Sequence, residues 1–68
     1  MKISARNLLR GKVVQITKGA TTAHVVLDIG GSAVTASITN AAVDDLALEV
    51  GKQAYAVIKA SDVMVAVD

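Results

Sequence analysis

The clearest pattern in the chain is an alternation of apolar and polar side chains in its middle third. It runs through residues 21–29 and again through residues 34–39. Successive side chains of a β-strand point to opposite faces, so both runs predict strands with one buried face. Gly30 and Gly31 lie between them, and a short diglycine connection is typical of a β-hairpin. The predicted core positions of this hairpin are Ala23, Val25, Leu27, Ile29, Val34, Ala36 and Ile38.

The residues before this hairpin also predict β structure. Residues 3–17 are interpreted as one long bent strand, or as two strands that meet at Gly11, because residues 12–17 are β-forming by residue type. A glycine inside a strand often marks a bulge or a sharp bend. Lys18-Gly19-Ala20 is the predicted turn that leads into the hairpin.

One short helix and two further strands are predicted after the hairpin. Thr39-Asn40 is a helix-start signal, because either side chain can accept a hydrogen bond from a free amide of the first turn. Residues 41–48 then carry apolar side chains at near-helical spacing. Residues 53–60 and 62–67 are predicted to close the chain as two strands.

This order of elements predicts an all-β fold. Three strands, a short helix and two strands match a five-stranded Greek-key barrel of the oligonucleotide/oligosaccharide-binding type, with the helix between strands 3 and 4. The terminal strands of such a barrel lie near each other. With 68 residues and no linker or repeat, residues 1–68 are expected to form a single domain.

Composition adds an expectation of self-association. The chain is 53% hydrophobic but has no Phe, no Trp and no Cys, so its apolar mass is made of small aliphatic side chains. A domain of this size hides only about 60% of the surface that its unfolded chain exposes, and disulfides are absent. Association between copies is therefore the expected source of additional stability.

Charge and hydropathy exclude several other classes. The net charge is +1, too weak a field to indicate nucleic-acid binding by itself. No stretch approaches the roughly 18 apolar residues of a membrane span, and the N-terminus has no signal-peptide core. We expect a soluble, cytoplasmic protein without nucleic-acid or membrane partners.

The sequence predicts no enzyme. Nucleophilic catalysis needs a base beside a hydroxyl, and the single histidine, His24, lies about 13 Å along a strand from Asp28. Asp44 and Asp45 are adjacent on the predicted helix and point in different directions. A lone histidine without cysteines also gives no basis for a bare-cation site.

Two donor-rich segments remain, one at each end of the chain. Ser4-Ala5-Arg6-Asn7 lies near the start of the chain, just before an apolar run, and Lys59-Ala60-Ser61 lies at the edge of the fourth predicted strand. Their side chains and small-residue amides offer hydrogen-bond donors and no negative charge, with Thr39 or Ser37 as a further hydroxyl. Such a set suits a fully deprotonated tetrahedral dianion, which offers only acceptors. The competing interpretation is that Arg6 and Lys59 are ordinary solvated residues.

These two segments, within residues 1–13 and 56–64, closely resemble the molbindins, stand-alone Mop-domain proteins that bind molybdate and tungstate. The resemblance covers the whole chain. It implies a main oxyanion site formed by Ser4, Ala5, Arg6, Thr39, Lys59, Ala60 and Ser61, with Ser37 as the second choice for the hydroxyl. It also implies a second site on a threefold axis, which would involve Gly19, Ala20, Thr21 and Thr22, with His24 nearby.

The resemblance further implies a hexamer, a trimer of dimers with exchanged strands, that stores molybdenum in the cytoplasm. Molybdate or tungstate would be the bound ligand at subunit interfaces. Two alternatives stay open: a nucleic-acid-binding barrel, and a purely structural assembly domain in which Arg6 and Lys59 form ion pairs between subunits.

Overall fold

A computed structural model describes residues 1–68 and contains four strands, one α-helix and one short 3₁₀-helix. The strands are β1 (Asn7–Lys18), β2 (Thr22–Asp28), β3 (Ala33–Thr39) and β4 (Gln53–Ile58). The helix α1 (Asn40–Asp45) lies between β3 and β4, and the 3₁₀-helix (Ala60–Asp62) follows β4.

All four strands belong to one antiparallel sheet in the order β3-β2-β1-β4. Three strands joined in sequence, with a fourth that returns to lie beside the first, form a Greek key. The predicted all-β class, the Greek-key order and the position of the helix are therefore confirmed. The return of β4 also places the two ends of the chain at one end of β1.

The fifth predicted strand does not form. Residues 63–68 leave the sheet after the 3₁₀-helix and pair with no other strand. Val65 and Val67 are 91% and 92% exposed. Their residue types favour a strand, but a strand needs a neighbour to take its backbone hydrogen bonds, and the single chain supplies none.

The predicted irregularity in β1 lies at a different residue. The pairing between β1 and β2 shifts between Val13 and Gln15, so Val14 is the extra residue of a bulge. Gly11 has another role: a Cβ at this position would lie 2.5 Å from the backbone oxygen of Asp28. Gly11 therefore permits two backbones to approach closely.

The hairpin and the helix start form as predicted. Asp28 Oδ1 accepts hydrogen bonds from the amides of Gly30 and Gly31, both of which have positive φ. Thr39 Oγ1 accepts from the amide of Ala42 at 3.0 Å and so caps α1. The helix ends at Asp45, three residues before the predicted end, and Ala47 adopts a φ of 51°.

The core is small and lies on the concave face of the curved sheet. Only six of 68 residues are buried, all of them apolar. Residues from β1, β2, β4 and α1 meet there: Val13, Ala23, Val25, Leu27, Val43 and Ala56. The predicted hairpin face is confirmed, with Ile29, Val34 and Ile38 packed around this cluster.

Candidate oxyanion-binding site

The pairing of β1 with β4 brings the two donor-rich segments to the same end of the sheet. Asn7 is paired with Ile58, and Asn7 Nδ2 donates to the Ile58 backbone oxygen at 3.2 Å. If this register continued by one residue, Arg6 would face Lys59. The segments 4–6 and 59–61 thus leave one ladder side by side, as the barrel order predicts.

Both cations at this end are exposed and free of carboxylate partners. The only ion pair in the chain joins Lys18 to Asp44, far along β1. Neither Arg6 nor Lys59 makes a side-chain hydrogen bond, and neither do the hydroxyls of Ser4 and Ser61. Their donors remain available to a ligand.

The backbone after β4 adds two more donors. In the 3₁₀-helix, the amides of Asp62 and Val63 donate to the oxygens of Lys59 and Ala60, at 2.9 and 3.2 Å. The amides of Ala60 and Ser61 donate to no acceptor in the chain. Small side chains at these positions leave those amides accessible. The segment therefore combines one ammonium group, one hydroxyl and two free amides.

Thr39, by contrast, does not join this group within one chain. It is paired with Thr22, which lies beside the Lys18 end of β1. Arg6 precedes the opposite end of this 12-residue strand, which spans up to about 35 Å at 3.3 Å per residue. The Thr39 hydroxyl also caps α1. Ser37 lies two residues before it on the same edge strand, so neither hydroxyl reaches Arg6 within the monomer.

The turn predicted as a second site lies at that opposite end of the sheet. Three of its four carbonyl oxygens accept hydrogen bonds, and the Ala20 oxygen does not. Thr22 O accepts from the Gly19 amide, and Gly19 O accepts from Asn40 Nδ2. Thr21 O accepts from the Asn40 amide at 2.8 Å. The amides of Ala20 and Thr21 donate to no acceptor. The turn therefore presents donors to solvent.

A shallow cavity of about 250 Å³ opens beside this turn and has no hydrophobic residue in its lining. Its lining residues are Thr17, Lys18, Gly19, Thr22 and His24. Thr17 and Lys18 are not among the residues predicted from the sequence. The sequence feature that could have indicated these two residues is the position of a lysine, Lys18, directly before the glycine of the turn. Gly19 and Thr22 are shared with the predicted second site.

Two further observations limit the chemistry of the molecule. No three His, Cys, Asp or Glu side chains cluster where they could hold a metal ion. The α-helix spans six residues, and the chain contains no helix able to cross a bilayer.

A larger cavity of about 680 Å³ on the concave face is mainly apolar, and Tyr55, the only aromatic residue, lies in its lining.

Comparison with known proteins agrees with this geometry. The family model for the TOBE domain matches residues 3–65. The chain belongs to the TOBE domain family. A probable molybdenum-pterin-binding protein of Haemophilus influenzae is 59% identical to this TOBE domain over 69 residues, covering 100% of both proteins.

Solved structures of molybdate-binding proteins are also similar to this chain. A molybdate-binding protein from Sporomusa ovata is 41% identical, with a TM-score of 0.93, and covers 97% of this chain and 98% of that one. The cytoplasmic molybdate-binding protein ModG, solved with molybdate bound, is 45% identical with a TM-score of 0.89. The match includes 94% of this TOBE domain and 46% of the longer ModG chain. The predicted molbindin relationship is confirmed.

Proposed function

We propose that this TOBE domain binds molybdate, and tungstate through the same contacts, in a site built from residues 4–6 and 59–61. The observation that carries this proposal is the β1–β4 register, which ends at the pair Asn7–Ile58. The next residue outward on each segment is a cation, Arg6 or Lys59, and neither has a carboxylate partner. The ligand named for the Sporomusa ovata and ModG proteins is the same anion.

The donor set matches the chemistry of this anion. Molybdate is a tetrahedral dianion whose four oxygens accept hydrogen bonds and donate none. The guanidinium of Arg6 offers a rigid fork of N–H groups, and Lys59 adds a second positive charge. The free amides of Ala60 and Ser61 and the hydroxyls of Ser4 and Ser61 complete the donors. The set contains no carboxylate to accept the proton of a protonated anion, and its two cations favour the fully deprotonated form.

We place this site at an interface between copies of the chain. Thr39 lies at the other end of the sheet from Arg6, so Thr39 can join the same anion only from a second copy. The six-residue core and the exposed apolar residues of the C-terminal segment support self-association. A hexamer built as a trimer of dimers is the assembly that we propose.

The biological role that fits this chemistry is intracellular storage and homeostasis of molybdenum. The proposal is of a binding protein and not an enzyme, since the hydroxyls of Ser4 and Ser61 have no histidine beside them: His24 lies near the opposite end of β1. The cytoplasmic location named for ModG supports the same location here.

A pterin is a weaker candidate for the ligand, although the name of the Haemophilus influenzae relative includes one. Flat heteroaromatic rings are usually held by stacking on aromatic side chains. Tyr55 is the only aromatic residue, and it is half exposed. The same shortage of aromatic side chains, with a net charge of +1, argues against single-stranded nucleic acid.

We also propose that the turn 19–22 binds a second anion. Three of its four carbonyl oxygens are engaged, and the amides of Ala20 and Thr21 remain free. The hydroxyls of Thr21 and Thr22 add donors at an exposed position. This site is separate from the first because it lies at the other end of β1.

Calorimetric titration tests the main site. We expect molybdate to bind the purified protein more tightly than sulfate. Arg6→Ala should weaken molybdate binding by about 1.5–3 kcal/mol, because charged hydrogen bonds are lost. Arg10→Ala is the matched control: this exposed arginine donates to Gln53 Oε1 at 3.3 Å and lies outside the proposed site. Unchanged binding in Arg6→Ala, or no heat with molybdate at micromolar protein, would refute the proposal.

Metal analysis and two titrations complete the test. Protein isolated from cells is expected to carry molybdenum. Addition of a pterin without molybdenum, or of labelled single-stranded DNA at low salt, is expected to give no binding. Tight binding of either in the absence of molybdate would favour the corresponding alternative.

A further inference from the structure

The 3₁₀-helix (Ala60–Asp62) has little support from the rest of the chain. All three of its residues are exposed, and none of its side chains makes a hydrogen bond. Its two backbone hydrogen bonds close turns within residues 59–63. No hydrogen bond therefore joins this helix to β1 or to residues 4–6, and its position depends mainly on the covalent link to β4.

Residues 4–6, which continue from the same end of the sheet, are also held loosely. The side chains of Ser4 and Arg6 are exposed and make no hydrogen bond. A dianion bound by Arg6 on one side and by Lys59 and the Ser61 amide on the other would connect two segments that no hydrogen bond of the chain connects. Charge-assisted hydrogen bonds are roughly twice as strong as neutral ones. The bound anion would therefore restrict the motion of the 3₁₀-helix.

The apolar segment 63–68 follows this helix directly. It pairs with no strand, and Val65 is 91% exposed. No residue of the segment lines the open apolar cavity of about 680 Å³, so the segment does not cover the cavity of its own chain. Lys52 is the only charged side chain in that lining, and Asp62 and Asp68 place carboxylates at the two ends of the segment. Apolar surface and opposite charge thus fit the segment to a second copy of this chain.

The 3₁₀-helix connects the anion-binding residues to this segment. Ser61, whose amide and hydroxyl are donors of the main site, lies two residues before Val63. We propose that the 3₁₀-helix couples oxyanion binding at the main site to association between copies. The anion holds the helix against residues 4–6, and the helix then sets the direction in which the segment leaves β4. The inference rests on the proposed main site and adds its regulation.

Coupling of this kind acts in both directions. A segment that is already ordered loses less conformational entropy when it packs against a second copy. Molybdate should therefore favour association, and association should raise the affinity for molybdate by the same factor. We expect a factor of about ten in each direction, within the usual range of such couplings.

Sedimentation velocity of the wild type, freed of anions by dialysis, tests the first direction. The protein is diluted until half of it dissociates, with urea added where dilution alone is insufficient. Saturating molybdate should lower the protein concentration at half-dissociation by about tenfold. Sulfate at equal ionic strength controls for salt and should have much less effect. Arg6→Ala should not respond to molybdate.

Two insertions test the role of the helix. Two glycines inserted between Val63 and Met64 loosen the segment but keep every donor of the main site and the hydrogen bond from the Val63 amide to the Ala60 oxygen. This variant should bind molybdate, yet molybdate should no longer shift its dissociation. Two glycines added after Asp68 are the matched control and should leave the shift in place.

Calorimetry on a dissociated variant tests the second direction. Val65→Asp keeps all the proposed ligands and places a charge on the apolar segment. Where sedimentation shows this variant to be dissociated, its affinity for molybdate should be about tenfold lower than that of the assembled wild type. Ser32→Asp, in the exposed hairpin turn, should bind as the wild type does.

The outcomes separate this inference from the main proposal. Molybdate binding without any shift in dissociation would overturn the inference alone. A shift that persists after the internal insertion would do the same, because the coupling would then not pass through the 3₁₀-helix. Unchanged affinity in dissociated Val65→Asp would also overturn it. No binding of molybdate to the wild type would overturn the main site and the inference together.

Discussion

At the scale of single residues, Asn7 shows how the proposed main site is held in place. Its side-chain amide donates to the Ile58 backbone oxygen at 3.2 Å and so joins the first residue of β1 to the last residue of β4. The next residues outward are Arg6 and Lys59. Asn7 thus joins the two strand ends from which the segments with Arg6 and Lys59 continue, without being a candidate ligand itself.

Asn7→Ala should therefore affect both stability and anion binding. Loss of one partly buried hydrogen bond is expected to lower the free energy of unfolding by about 0.5–1.5 kcal/mol. Molybdate affinity should fall as well, because the segments that carry Arg6 and Lys59 separate more easily. Urea denaturation and calorimetry measure the two effects. A variant with full affinity would show that Asn7 does not position the site.

Asp28 is the residue whose pKa the fold shifts clearly from its ordinary value. Hydrogen bonds from the amides of Gly30 and Gly31 hold the pKa of its carboxyl below the ordinary value of 3.8, and Lys12 adds a smaller effect in the same direction. A group with a lowered pKa in the folded state stabilises the protein above its unfolded pKa. This stabilisation is lost as the pH falls below about 3.8.

Thermal denaturation between about pH 6 and pH 3 tests this dependence. The wild type should lose melting temperature as the pH falls through the range below 3.8. Asp28→Ala should melt lower near pH 6 but lose less on acidification. Asp45→Ala, which removes a carboxylate without a hydrogen bond, serves as the control. Parallel curves for Asp28→Ala and the wild type would contradict the prediction.

At the scale of elements, β1 has two departures from a regular strand. Gly11 lies where a Cβ would meet the backbone oxygen of Asp28, and Val14 forms the bulge. The bulge changes which residues face the core: Val13 points inward before it, and Ile16 points inward after it. A single strand can thus follow the curvature of the sheet along its whole length.

Gly11→Ala should destabilise the sheet. Its Cβ would lie 2.5 Å from the Asp28 oxygen and 3.0 Å from Ile29 Cγ2, so backbone would have to move. We expect a loss of about 1–3 kcal/mol in the free energy of unfolding, as for other overpacked sites. Val14→Ala, at an exposed position of the same strand, should change it by less than about 0.5 kcal/mol. Equal effects of both substitutions in urea denaturation would contradict this account.

The elements that could be predicted from the sequence are those whose structure depends on residues close together in the chain. Alternation and the diglycine turn specify the β2–β3 hairpin, and Thr39 specifies the helix start. The bulge escaped prediction because Val13 and Val14 are both apolar, which hides the change of face. The last strand was wrongly predicted because residue type indicates β propensity and cannot supply a pairing partner for residues 63–67.

The same distinction applies to the candidate sites. The order of elements implies that the terminal strands are neighbours, so the sequence predicts that the segments carrying Arg6 and Lys59 lie at the same end of the sheet. The placement of Thr39 depends on sheet register, which no local pattern reveals. Lys18 was assigned to the turn, but β1 continues to Lys18, so that this residue and Thr17 both line the second cavity.

At the scale of the whole molecule, the exposed apolar surface exceeds what a small monomer usually carries. Six residues are buried, while Met64, Val65 and Val67 are each more than 90% exposed. Contiguous apolar surface of this kind usually marks an interface. The unpaired segment 63–68 and the open apolar cavity support the proposed assembly of several copies.

Light scattering coupled to gel filtration should therefore report an oligomer. A hexamer would have a mass of about 41 kDa, six times the 6.9 kDa of the chain. Val65→Asp should weaken the assembly, because it places a charge on the exposed apolar segment. Ser32→Asp, in the exposed hairpin turn, is the control. A monomer at micromolar concentration would contradict both the assembly and the placement of Thr39 at a shared site.

The pairing of Asn7 with Ile58 also has a consequence for folding kinetics. β1, β2 and β3 are joined by short turns, whereas this pair joins residues 51 positions apart. Closing so long a loop has a higher entropic cost, so β4 is expected to dock after the three-stranded meander has formed. Arg6 and Lys59 would become neighbours only in that last step. An anion held between them would then slow the detachment of β4 and lengthen the lifetime of the folded chain.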